Sequence, residues 1–396
     1  RALLFASVAR SGSLSTLSTS SIAARSGRLL FYCRLSDSLI KIYLVTSTIR
    51  YIIWELLRMP LQRESWLDIA KTVLIILIVV GHSGEKIIHD YILWFVGPAF
   101  FVLSGYLFKP VKDWSEFNIW LKSRAVRLLI PYATYLVLIT LSKYALKFCT
   151  HNLTAGWVKI DLINVLIGGR FLPGVFWFIT CLFITEVLFM VFSLLIKNPR
   201  RIMFLIGILY IMAHVETSFV DPKALIIPWN ADVALLCLSY FAFGFYGKNL
   251  LKTISPGQWM GISLLPLLFV ILQLKGYYSY NLDLKYLKYT HIILDFIIPI
   301  TMTIVLCGIS RAIPKILSKY SDIIGSRTMS IMYIHVPLNE ALYKVFTHGS
   351  LSYIIIGVLI PVLMNKFIFE RFALTRLLFL GMKPSPKNVF QVAIEK

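Results

Sequence analysis

Charge is scarce in this sequence. Only 15% of its 396 residues are charged, 58% are apolar and the mean hydropathy is +0.76, whereas a soluble domain carries about 25% charged residues. A water-soluble fold of this size lacks the polar surface to cover so many apolar side chains. Acids are scarcer still, 19 against 40 lysines and arginines, for a net charge of +21. That balance suits nucleic acid, but the basic residues sit in short loops between apolar runs and form no stripe, which argues against such a partner. Cysteine is sparse as well. Cys33, Cys149, Cys181, Cys237 and Cys307 lie far apart without a Cys-x-x-Cys, so a disulfide scaffold is excluded and small core-type residues are the simpler reading. No Gly-x-Ser-x-Gly elbow occurs, nor any evident repeat of 20–50 residues.

What is abundant is apolar runs. From Met59 onward they recur near 67–83, 91–108, 128–146, 172–196, 202–216, 231–247, 257–274, 290–309, 328–346 and 351–369. Their lengths suit helices crossing a hydrocarbon core of about 30 Å at 1.5 Å per residue, and they do not alternate as barrel strands do. The expectation is an all-α, polytopic membrane helix bundle of about ten transmembrane helices over 59–380, with 381–396 as a cytoplasmic tail. Residues 1–58 differ: Arg10, Arg25, Arg28 and Arg34 are interleaved with serine and threonine, and no acid precedes Asp37. This leader, a targeting peptide or translated upstream sequence, is expected to lie outside the fold, and the second reading is favoured because Met59 opens a basic segment ahead of the first strong span.

Loop charge sets the orientation. One alternate set of loops holds Lys109, Lys112, Lys122, Arg124, Arg127, Lys197, Arg200, Arg201, Lys248, Lys252, Arg311, Lys315, Lys319 and Arg327. The opposite set is poorer in lysine and arginine. The first set is therefore expected in the cytoplasm, with both ends of the 59–396 unit.

Three ionisable groups stand in or beside the first span: Asp68, Lys71 and His82. Such groups are costly there and usually functional. At 100° per residue Lys71 lies about 60° from Asp68, and His82 returns to within about 20° of Lys71 and about 16 Å along the axis. The plain alternative is an Asp68–Lys71 pair at the rim, with His82 as an end cap. A His82/His89 metal pair lacks a third ligand at suitable spacing, so no metal is expected. With no protein nucleophile beside it, His82 fits a general base acting on a hydroxyl brought by the substrate. Ser104 and Gly105 in the second span suit helix packing. Arg124 and Arg127, three apart at a helix entrance, suit phosphate or lipid headgroups. Pro337 should kink the helix that carries His335.

These residues carry a resemblance. Arg63-x-x-Trp66-x-Asp68-x-x-Lys71, Gly81-His82, Phe100-Phe101-x-x-Ser104-Gly105-Tyr106-Leu107, Arg124-x-x-Arg127-Leu-x-x-Pro131-Tyr132, Trp177-Phe178 and Tyr333-Ile-His335 follow one another at spacings that resemble acyltransferase family 3. These are bacterial integral-membrane O-acyltransferases, and the chain looks most like the fucose 4-O-acetylase branch. The resemblance covers about 59–380. It implies a multi-pass protein of the bacterial cytoplasmic membrane, embedded among membrane lipids. It also implies acyl-CoA, usually acetyl-CoA, as co-substrate and a surface polysaccharide or lipid-linked saccharide as acceptor. His82 and Asp68 are then the catalytic candidates, and Lys71, Arg124 and Arg127 the acyl-CoA-binding ones. Ser104, Tyr106, Trp177 and His335 are candidates for binding substrate. Many members carry arginine eleven residues before the histidine, where this chain has Lys71. The rival reading is a transporter or flippase that uses the Asp68/Lys71/His82 face as a pathway; no convincing inverted repeat supports it. A third reading is a sensor module that has lost catalysis.

Overall fold

The computed structural model describes residues 64–85, 91, 93–149, 155–166, 168, 170, 175–219, 227–289 and 291–382. The 1–58 leader, His89 and all but the first two residues of the 381–396 tail lie outside them. Among the described residues the only β pairing is one isolated antiparallel bridge, Asp283 to Lys288. The helices are α1 (Ser65–His82), α2 (Val96–Leu107), α3 (Trp114–Cys149), α4 (Ala155–Leu166), α5 (Phe176–Leu195), α6 (Pro199–Phe219) and α7 (Ala231–Tyr246). They continue with α8 (Lys248–Thr253), α9 (Pro256–Leu274), α10 (Leu294–Ala312), α11 (Lys315–Gly325), α12 (Thr328–Tyr343), α13 (Ser350–Met364) and α14 (Ala373–Leu380).

Each of the ten apolar runs falls on its own helix, so the all-α polytopic bundle stands. Seven of these helices, α1, α3, α5, α6, α9, α10 and α13 with its π-helical extension, have the length and apolarity to cross a membrane by themselves. The other three are shorter than expected: α2 has 12 residues behind one 3₁₀ turn, and α7 and α12 have 16 each. A lone crossing helix needs about 20 residues. Of these, α7 is an interior element: Val233, Ala234, Leu236, Cys237, Leu238, Tyr240 and Phe241 have no exposed surface, and α2, α5 and α6 pack around them.

The run at 128–146 is only the later part of a longer helix. Asp113 caps its start: Oδ1 accepts from the backbone amides of Ser115 and Glu116 at 2.8 and 2.9 Å, and Glu116 accepts from the Lys112 amide at 3.0 Å. These bonds satisfy amides that the first turn leaves unpaired and start α3 at Trp114. The α2–α7 contact depends on glycine from both sides: a Cβ at Gly105 would run into the Phe241 carbonyl, and one at Gly244 into the Val102 carbonyl. Gly105 thus does the packing expected of it. Helix α12 runs on through Pro337, and the proline costs it one amide donor.

The loops richest in basic residues meet at one end of the bundle. There the Lys248 ammonium donates to the Phe108 carbonyl at 2.7 Å, Arg311 to the Leu251 carbonyl at 3.4 Å, and Arg327 pairs with Glu370 at 2.8 Å. At the other end the Ser350 hydroxyl donates to the Ser83 carbonyl at 3.2 Å, beside His82.

Candidate functional site

Helix α1 links two cavities. The larger, of 720 Å³, opens at the basic end and is lined by Glu64, Asp68, Lys71, Tyr106, Lys109, Arg127, Lys248 and Lys252, among others. The smaller, of 310 Å³, contains His82 with Phe100, Trp177, Phe178, Asp283, Lys285 and Tyr286. Between them α1 turns Leu74, Ile75 and Val79, all without exposed surface, into the core.

At the basic end Asp68 is 2% exposed and lies 3.3 Å from the Lys71 ammonium, whose side chain keeps 22% exposure. A carboxylate one turn earlier on the same face holds the cation at the cavity wall. The Thr72 hydroxyl, 2.7 Å from both the Asp68 and Ser321 carbonyls, ties α1 to α11 here. Tyr106 donates to Glu64 at 2.6 Å, and its ring meets Trp66 edge-on. Five cations, Lys71, Lys109, Arg127, Lys248 and Lys252, therefore face one space against Glu64 and Asp68. Burial, reinforced by nearby Lys109, holds the Lys248 ammonium below the ordinary lysine range.

The two arginines expected to act together do not. Arg127 lines the cavity, whereas Arg124 turns into the bundle and makes a two-pronged ion pair with Glu186 of α5. Three residues of helix separate their directions by about 60°, enough to aim one at the cavity and one at α5. Glu186 is 1% exposed. It is the sole acid in a 20-residue apolar helix, and that isolation is the sequence signal that marks it.

At the opposite end His82 faces the smaller cavity, and the ring of His335 lies beside it with centroids 5.2 Å apart. Trp177, half-buried, supplies a cavity wall with Phe100, Phe178 and Tyr286. Its backbone is fixed from behind. The Asn230 amide donates to the Trp177 carbonyl at 3.3 Å and to the Thr180 hydroxyl at 2.8 Å, while Arg170 donates to Asn230 at 2.9 Å and pairs with Asp232. The 283–286 loop closes part of the rim. There burial lowers the affinity of the Lys285 amine for its proton, partly offset by Asp283. Ser104, half-buried on α2, lines neither cavity, and Tyr106 belongs to the basic cavity rather than to that of His82. Among the described residues no three His, Cys, Asp or Glu side chains gather as a metal site would require.

Nodulation protein NolL of Sinorhizobium fredii (strain NBRC 101917 / NGR234) is 32% identical over 151 residues, 34% of this chain and 39% of that protein. Nodulation protein NolL of Mesorhizobium japonicum (strain LMG 29417 / CECT 9101 / MAFF 303099) is 29% identical over 144 residues, 33% of this chain and 36% of that protein. The chain thus spans less than two fifths of the length of these curated relatives. No solved structure matches it. The family model described as an acyltransferase domain matches residues 64–365, which include every residue lining the two cavities, and the chain belongs to this acyltransferase 3 family.

Proposed function

We propose that the protein moves an acyl group, acetyl in the first instance, from cytoplasmic acyl-CoA to a hydroxyl of a surface polysaccharide or lipid-linked glycan precursor. The carrying observation is the pair of unlike cavities on one helix: a cation-rich one around Lys71 and Arg127, and an aromatic-walled one around His82. Excess lysine and arginine mark the cytoplasmic side of bacterial membrane proteins, so the cationic cavity faces the compartment that holds acyl-CoA. Its cations match the phosphates of the CoA nucleotide, with Arg127 offering a planar fork and the lysines point charges. Asp68 positions Lys71 and takes no proton.

The aromatic walls around His82 suit a saccharide, whose apolar C–H faces pack on rings. His82 takes the proton of the attacking hydroxyl as its oxygen forms the new bond to the thioester carbonyl carbon. The carbon–sulfur bond then breaks, and the proton passes to the departing sulfur, giving an ester and free CoA thiol.

The test uses membranes containing the full chain, radiolabelled acetyl-CoA and the native surface glycan of the producing cell. Label in glycan, matched by released thiol and lost with His82→Ala, is the expected result. Movement of glycan across the membrane without label transfer would instead favour the transporter reading.

A further inference from the structure

His335 is the buried group that this mechanism leaves unused. Its side chain, on α12, has no exposed surface. The ring Nδ1 lies 2.8 Å from the carbonyl oxygen of Ile331, one turn earlier. A carbonyl only accepts, so Nδ1 carries the hydrogen, and in the neutral ring the lone pair is on Nε2. That nitrogen is buried and has no hydrogen-bond partner. A buried acceptor left unmatched is expensive, of order 1–3 kcal/mol. The adjacent ring is His82, 5.2 Å away between centroids and tilted by 51°. As they stand the two rings are neighbours without a hydrogen bond between them. His82 is exposed at the helix end, and a turn of its ring brings an N–H toward Nε2, to the usual length of about 2.7–3.2 Å.

The surroundings hold His335 in place. The Asn339 amide donates to the His335 carbonyl at 2.8 Å, and Asn339 Oδ1 lies 3.0 Å from the His348 ring. Helix α13 presses on this turn through Gly357, where a Cβ would stand 3.0 Å from Val79 of α1 and 3.3 Å from the His335 Cβ. The glycine lets α13 clamp α12 against the end of α1 that carries His82.

We propose that His335 is a positioning residue for His82. When the exposed His82 ring turns toward it, its Nε2 accepts the N–H of one His82 nitrogen, which fixes the His82 tautomer and leaves the other nitrogen, with its lone pair, for the attacking hydroxyl. When His82 takes the hydroxyl proton, both of its nitrogens carry hydrogen and the His335 acceptor holds the charged ring in the same orientation. When the proton moves on to the leaving sulfur, the pair returns to its starting state, and His335 gains and loses nothing. The inference rests on the reading of His82 as the base.

Two substitutions separate positioning from packing. His335→Gln keeps an acceptor near the place of Nε2 and should retain transfer within about tenfold. His335→Asn reaches the Ile331 carbonyl but offers nothing to His82, and should lower kcat about 10²-fold with the KM for acetyl-CoA unchanged. Joining His335→Asn to His82→Ala should add no further loss, since residues acting as a unit are non-additive. The second measurement is ¹⁵N NMR of histidine-labelled full-length protein, which reads tautomers directly. His335 should carry its hydrogen on Nδ1, and the His82 signals should change from a single tautomer to a mixture in His335→Asn.

Wild-type kcat in a folded His335→Asn protein, losses that multiply in the double variant, or hydrogen on His335 Nε2 would each overturn the proposal. Full transfer by His82→Ala would sink the base reading instead, and the NMR result would still report whether the two rings are paired.

Discussion

Arg124 tests whether the cavity or the bundle claims a guanidinium. In Arg124→Ala the Glu186 carboxylate, 1% exposed, is left in the interior without its two-pronged partner. Removing one member of a buried ion pair costs about 3–5 kcal/mol. Arg124 keeps 28% of its side-chain surface, so the low end, about 3 kcal/mol, applies. With an unfolding entropy of about 2.1 cal/mol/K per residue over roughly 300 residues, that is a fall in Tm of about 5 °C. Replacing both partners with apolar side chains, Arg124→Met with Glu186→Leu, should recover most of the loss, because the stranded charge is gone. The assay is thermal unfolding of detergent-purified protein, run beside acetyl-CoA saturation curves. An Arg124→Ala protein of unchanged Tm and raised donor KM would refute the reasoning and return this arginine to the donor site.

Arg127→Ala should do the opposite, raising the KM for acyl-CoA several-fold with little change in Tm, since a phosphate contact is mainly uniform binding; saturation kinetics and unfolding curves read the two. Lys71→Arg should keep transfer, whereas Lys71→Ala should lose donor affinity and leave Asp68 buried without its cation, as binding and thermal assays would record. Lys248, held below the ordinary lysine value of 10.5, loses its charge earlier than an exposed lysine as pH rises. Donor KM should therefore begin to climb below pH 10.5, and Lys248→Arg should abolish that early climb. His82→Ala should lower turnover by about 10² to 10⁴ with donor binding intact, and His82→Gln, which cannot take the proton, should do little better.

Much of this was legible because the membrane simplifies the code. Apolar runs became helices one for one, and loop charge foretold which loops share an end. The three-residue spacing of Asp68 and Lys71 foretold their pairing, since helix geometry alone decides it. The failures share a cause. Spacing on one helix fixes the angle between Arg124 and Arg127 but not which neighbour each meets; that depended on Glu186 of α5. The shortness of α7 goes with its burial among α2, α5 and α6, which no local pattern reveals. Most remote of all is the meeting of His82 with His335, the product of α1, α12 and α13 packing together.

The separation of the two cavities gives the proposed reaction a direction. Along α1 the packed middle offers Leu74, Ile75 and Val79, and no charge. A phosphate entering that layer would give up its hydration for nothing, at a cost of many kcal/mol. An acyl group on its uncharged arm would lose little, because it is itself apolar or nearly so. On the proposed reading the nucleotide stays in the cationic cavity, because the core would strip its phosphates of water, and the thioester end advances toward His82. The core residues between the cavities must part to admit it. Filling that layer, for example by Val79→Phe beside Gly357, should spare donor binding and block transfer. Equal transfer by a folded Val79→Phe protein would mean that the acyl group takes another route.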